Sequence, residues 1–191
     1  MKTHNHVQKS AQGLFEFLRE TCNYETNIPI DVETIAKKLE ITIDTKHIDA
    51  GDQTEIVGGI YFRDGAPIIH INPARNSYPP RKRFTIAHEI GHYILHSANS
   101  MREFTDDRTT MSRTESYWDT YEYEANNFAA ELLMPTDAVF DACEKKINVY
   151  KELTGEDKIT ADLLIKILAN QFVVSDKAME YRLRRLRVIR N

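Results

Sequence analysis

The spacing of apolar and polar positions divides this 191-residue chain into segments of different period. Over residues 7–20, Val7, Ala11, Leu14, Phe15 and Leu18 recur at three- and four-residue intervals and predict an amphipathic helix. A second helix is predicted from Asp31, a capping residue type, with Val32, Ile35, Ala36 and Leu39 facing inward. The period then drops to two. Ile41-Thr42-Ile43 reads as a short strand, and residues 55–63 and 67–72 read as a hairpin closed by the turn dipeptide Asp64-Gly65. Gly58-Gly59 marks a bulge or a close backbone approach, and Pro67, which cannot donate to a ladder, belongs on an edge or at a strand start. The strand near Ile68–Ile71 is therefore expected at a sheet edge, where an extended peptide can pair with it. His70 within it reads as a partly buried strand residue rather than a ligand.

Helical spacing returns at residues 81–96, where Phe84, Ala87, Gly91 and Leu95 share a face, with Pro79-Pro80 at the start. Gly91 is the misfit, since an interior glycine costs a helix roughly 1 kcal/mol, so a sheet or a substrate is expected against it. Residues 97–116 are polar and without period, a long loop that can cover a cleft. Periodicity resumes over residues 117–134, where Ala125, Phe128, Ala129, Leu132 and Leu133 form the apolar face and Pro135 ends the helix. Further helices are predicted to about Lys146 with Thr136 as cap, over residues 161–171, and over residues 176–187 with Ser175 as cap. There is no internal repeat.

Composition narrows the class. The chain is 41% hydrophobic and 28% charged, as globular proteins are, and its net charge of −4 does not fit a nucleic-acid binder by bulk charge. The two cysteines, Cys22 and Cys143, lie outside any CxxC pattern, which argues against a zinc ribbon or a disulfide scaffold. The first residues lack the apolar core of a signal peptide, and no apolar run approaches the ~20 residues of a membrane span. These features together point to the cytoplasm.

The chemistry lies in His88-Glu89-Ile90-Gly91-His92, an HExxH motif. Residues four apart share a helix face, so His88 and His92 can present two imidazoles to one Zn²⁺, and Glu89 beside them can take a proton from water activated there. A catalytic zinc usually has a third protein ligand and one open position. The metzincin pattern fails, because Leu95 and Ala98 occupy its glycine and third-histidine positions. His96 lies about 11 Å along the axis from His88 and reads as a helix-end residue that packs or lines the cleft. His4 and His6 offer adventitious binding only. The downstream donors are Glu122 and Glu124, about 200° apart on a helix, so only one can face the ion. Glu122 is favoured, because it shares a side with Ala125, Asn126 and Ala129, and Asn126 can support a ligand by hydrogen bonding. Tyr93, His96, Tyr117 and Tyr121 are candidate oxyanion donors. A His₂Glu site of this kind also accepts Mn²⁺ or another divalent ion.

RFTIAHEIGHYILH followed by EYEANNFAAELLMP resembles the ImmA/IrrE family of zinc metallo-endopeptidases. IPIDVETIAKKLEI, GGIYFRDGAPIIHIN and LANQFVVSDKAMEYRLRRL are similar to that family as well, so the likeness runs over roughly residues 10–188. It implies an α+β, zincin-like fold with a small antiparallel sheet, here taken as one domain over 1–191. Residues 1–136 would form the catalytic core and 137–191 a helical extension. It also implies His88, His92 and Glu122 as metal ligands, Glu89 as catalytic glutamate, and a bacterial or phage source. The implied substrate is a regulatory protein, often a helix-turn-helix repressor encoded next door. The rival is a DNA-binding regulator or antitoxin-like partner with an idle zinc site. Its basis is the last two helices, which read as a helix-turn-helix carrying Arg182, Arg184, Arg185, Arg187 and Arg190. Against it stands a cap of three helices with a solvated arginine face, which leaves direct DNA binding disfavoured.

Overall fold

A computed structural model describes residues 9–45, 56–97, 104–107 and 120–190. Val7, His4, His6 and Tyr117 fall outside these. Helix α1 (Ala11–Cys22) starts where the Ser10 hydroxyl accepts from the Gly13 N–H, and it ends at Asn23 in the left-handed region. Helix α2 (Val32–Lys38) starts where the Asp31 carboxylate accepts from Thr34 N–H at 2.9 Å, the cap its sequence predicts. Leu14, Leu18, Ile35 and Leu39 are fully buried beneath these helices.

Strands β1 (Thr42–Asp44), β2 (Ile56–Arg63), β3 (Ala66–Ile71) and β4 (Phe104–Asp107) form one sheet in the order β1-β3-β2-β4. Asp64 (φ 52) and Gly65 (φ 79) both adopt left-handed backbone, the condition for a two-residue turn whose twist matches the strands. The expected antiparallel pairing holds for β3, β2 and β4, while β1 adds to β3 in parallel. That addition corrects one expectation. The Ile68–Ile71 strand is not an edge, because β1 and β2 occupy both its sides. Pro67 is tolerated because β1 pairs only with residues 68–70. The edge on the other side is β4, a strand inside the segment whose polar sequence reads as loop. Its register against β2 slips between Ile56 and Gly58, which is the irregularity that the glycine pair signals.

Helix α3 (Pro79–His92) runs on into a π-helical turn (Tyr93–Ser97). Residues 85–92 are all buried, because α3 lies between β2 and β3 on one side and α4 (Thr120–Leu133) on the other. Helix α5 (Thr136–Thr154) continues two turns past the expected end, to a left-handed Gly155. Helices α6 (Ala161–Phe172) and α7 (Asp176–Arg185) follow, each capped by the preceding Thr160 or Ser175. One apolar cluster runs from Ala11 to Leu183.

The C-terminal arginines form a solvated face only in part: Arg185, Arg187 and Arg190 are exposed, and Arg182 is not. Arg182 is 4% exposed; its Nε donates to the Met134 carbonyl at 2.9 Å and its Nη2 to Thr136 Oγ1 at 3.1 Å. Arg185 pairs with Glu131 at 3.5 Å and donates to Asn127, while Arg184 is held by Glu180 and the Arg190 carbonyl. From the other side Arg83 of α3 donates to the Val173 carbonyl between α6 and α7. Arg182 and Arg185 thus tie α7 to α4 and the residues that follow it, and Arg83 ties α3 to the turn between α6 and α7.

Candidate metal centre

The loop before α3 is set by two buried asparagines. Asn76 Nδ2 donates to the carbonyls of Val57 and Asn72, and its Oδ1 accepts from the Thr85 hydroxyl at 2.8 Å. These bonds tie the start of β2 to the second turn of α3. Pro79 and Pro80 occupy the first helical positions, where an N–H has no intrahelical partner to lose.

From this anchored helix His88 and His92 project one turn apart, with their Nε2 atoms 2.9 Å from each other. Glu122 enters from the first turn of α4, its two oxygens 3.2 Å from His88 Nε2 and 3.1 Å from His92 Nε2. Both histidines are fully buried and the Glu122 side chain is 17% exposed. Donors about 2.0–2.1 Å from one tetrahedral ion stand roughly 3.3 Å apart, so the observed triangle fits a divalent ion with one position left open. Burial alone would raise the Glu122 pKa. Hydrogen bonds from His88 and His92 outweigh it and hold the carboxyl well below the usual carboxylate range, so it stands there as an anion.

Two glycines let the elements close on this centre. A Cβ on Gly91 would lie 3.3 Å from both Cα and O of Ala125, so a helix, and neither a sheet nor a substrate, packs on that backbone. That approach brings Glu122, one turn before Ala125, within reach of α3. Gly58 acts from the sheet side. Its Cβ would stand 2.6 Å from Thr85 Cγ2 and 3.2 Å from Glu89 Oε1, so β2 can lie against a fully buried Glu89 only because the side chain is missing. The glycine pair signals this contact in the sequence; the asparagine–threonine bonds have no comparable signal.

The other candidates separate cleanly. Glu124 is half exposed and turns to His96 Nδ1 at 3.8 Å, away from the triangle. His96 sits in the π-helical turn, its Nε2 3.3 Å from the Tyr121 carbonyl and its ring against those of His92 and Tyr121. Burial, followed by the neighbouring His92, lowers its pKa. Tyr93 is buried in the core against Phe62. Asn126, expected to support a ligand, lines a groove beside the centre. His70 is partly buried, with its pKa lowered by burial.

An HExxH helix pressed against a small mixed sheet, with a carboxylate delivered by the next helix, is the zincin-like arrangement of a metallopeptidase. The chain belongs to the ImmA/IrrE family: the peptidase family model described as the IrrE N-terminal-like domain matches residues 36–184. A relative is the radiation response metalloprotease IrrE of Deinococcus radiodurans, 31% identical over 118 residues, which cover 58% of this chain and 34% of that protein. The chain thus spans about a third of that relative's length. Family membership implies a divalent metal, and a His-His-Glu group able to hold one is present. Among the described residues no helix is long and apolar enough to cross a membrane.

Proposed function

We propose that the protein is a zinc-dependent endopeptidase in which His88, His92 and Glu122 hold the ion and Glu89 moves the proton. The observation that carries this reading is the convergence of two buried imidazole nitrogens and the partly exposed Glu122 carboxylate from two helices, 2.9–3.2 Å apart, next to the buried Glu89. When bound, the ion supplies a Lewis acid that polarises a carbonyl and lowers the pKa of a coordinated water towards 7. Glu89 accepts a proton from the attacking water and returns it to the leaving amine. Gly58 leaves Glu89 Oε1 its place, and Thr85, bonded to Asn76, keeps the helix beneath it in register. Two imidazoles and a carboxylate favour zinc, and the same donors accept Mn²⁺.

The substrate we propose is a helix-turn-helix repressor or antitoxin-type regulator encoded beside this chain, cut at one site in the cytoplasm. Support comes from the family resemblance and from the relative, a radiation response metalloprotease. An extended substrate would pair with the outer side of β4, which among the described residues is the sheet edge beside β2. We read the chain as one working unit, with residues 137–191 bracing the core through Arg83, Arg182 and Arg185. The engagement of Arg182 and Arg185 within the fold weighs against the DNA-binding alternative.

The test is metal content and cleavage of the neighbouring repressor by wild type and Glu89→Gln. One equivalent of metal in both, with cutting by wild type alone, is the expected result. An absence of metal across Zn²⁺ and Mn²⁺ titrations would overturn the reading.

A further inference from the structure

Between the start of α3, the first half of α4 and the start of α7 lies a groove of about 500 Å³. That is the size at which proteins hold small organic ligands or a few residues of a peptide. Its walls are largely apolar. Phe84, Val174 and Ala178 line it, and the rings of Tyr78 and Tyr181, 55% and 43% exposed, stand at it. Exposed aromatic rings around a concave surface are the composition of a recognition site rather than of an ordinary solvated face.

The groove is one side chain away from the candidate centre. Phe84 lines it and also stacks on His88, with ring centroids 6.3 Å apart and planes 29° apart. Asn126 lines it one turn beyond Glu122. A polypeptide whose scissile bond lies at the triad therefore has neighbouring residues within reach of this groove.

Its charge opposes that of the chain. Net charge is −4, yet the groove's ionisable lining residues are Arg81 and Lys177. Lys177 is engaged by Glu180 at 3.1 Å and lies over the Tyr181 ring at 4.7 Å. The Arg81 side chain has no hydrogen-bond or ion-pair partner among the described residues. A guanidinium in that state is a fork for a carboxylate.

We propose that this groove selects the substrate. It takes a peptide segment with a large apolar or aromatic side chain and an aspartate or glutamate close to it in sequence. The apolar group lies among Phe84, Tyr78 and Tyr181, and the carboxylate lies on Arg81. Segments with a basic residue in that place are rejected by like charge. The choice of a peptide as occupant rests on the peptidase reading, so the test separates the two.

The probe is a phage-displayed library of random dodecapeptides, panned on full-length Glu89→Gln protein loaded with zinc, and in parallel on the same protein carrying Arg81→Glu or Ala178→Trp. Retained far-ultraviolet dichroism and melting temperature qualify each variant, and Arg81→Gln substitutes if the reversal unfolds. The expected result is enrichment of peptides with a large apolar residue within about two positions of Asp or Glu. These should bind the Arg81→Glu protein at least about tenfold more weakly, the scale of a lost charge-assisted contact. Ala178→Trp fills the groove without touching its charge and should weaken the same peptides. Enrichment without acidic residues, or equal affinity after Arg81→Glu, overturns the proposal. Synthetic versions of the selected peptides are then offered to wild type. Peptides bound through Arg81 but never cut leave the groove standing and sink the peptidase; peptides cut without regard to acidic residues do the reverse.

Discussion

A single methyl at Gly91 tests how the proposed third ligand, Glu122, is brought in. The added Cβ would stand 3.2 Å from Phe128 Cδ1 and 3.3 Å from two backbone atoms of Ala125. Carbon contacts settle at about 3.5–4.0 Å, so α4 must retreat by a few tenths of an ångström. The Phe128 ring can turn aside, but the Ala125 backbone moves only with its helix. Glu122 lies one turn away on that helix, its oxygens now 3.1 and 3.2 Å from the imidazoles. Two terms then oppose each other in the metal-free protein. Alanine gains about 1 kcal/mol of helix propensity over glycine, and overpacking costs about 1–3 kcal/mol. Net destabilisation of about 0–2 kcal/mol follows. Metal affinity is the more sensitive quantity, because misplacing a ligand's support typically costs about 10–100-fold. That corresponds to about 1.4–2.8 kcal/mol, and in saturating metal the stability gap from wild type widens by that amount. Competition with a chromophoric chelator, with thermal unfolding in the presence and absence of zinc, measures both. Unchanged zinc affinity together with a raised metal-free melting temperature would refute the reasoning, since Gly91→Ala would then act through propensity alone.

Three further outcomes are expected. Gly58→Ala drives a methyl against Thr85 and Glu89, so stability should fall by about 1–3 kcal/mol and peptide turnover at least about tenfold, with metal content retained; full turnover would show that Glu89 does not depend on that gap. Glu122→Ala should lose zinc at micromolar concentration while Glu124→Ala keeps it, and equilibrium dialysis with the opposite ranking would move the third ligand to Glu124. Arg182→Met leaves the Met134 carbonyl without its donor and should cost about 1–3 kcal/mol in urea unfolding; a midpoint unmoved from wild type would leave the bracing role of α7 without support.

The elements that could be read from the chain are those whose cause is local. Four-residue spacing puts His88 and His92 on one face whatever surrounds the helix. Asp31 and Ser175 cap helices because a side-chain oxygen reaches an N–H three residues on, whereas Thr136, expected as a cap, is the first residue of α5 and Pro135 stands in the cap position. Asp64-Gly65 turns a hairpin because both residues tolerate positive φ. The choice of Glu122 over Glu124 needed only helical geometry and the apolar side of α4, and the structure turns those two carboxylates apart in the same way.

What remained was decided by packing between distant segments. Strand β4 is four residues long and carries two aspartates, so it has no period of its own and exists only against β2. Nothing local reveals that β1 covers β3, and so the strand expected at the edge is interior. The arginines of α7 show charge in the sequence but not what meets it: the Met134 carbonyl takes Arg182 and the Glu131 carboxylate takes Arg185. Gly91 and Gly58 announce that something comes close. Only the folded chain identifies Ala125 and Glu89 as those neighbours, because a glycine specifies missing volume and the tertiary structure specifies what fills it.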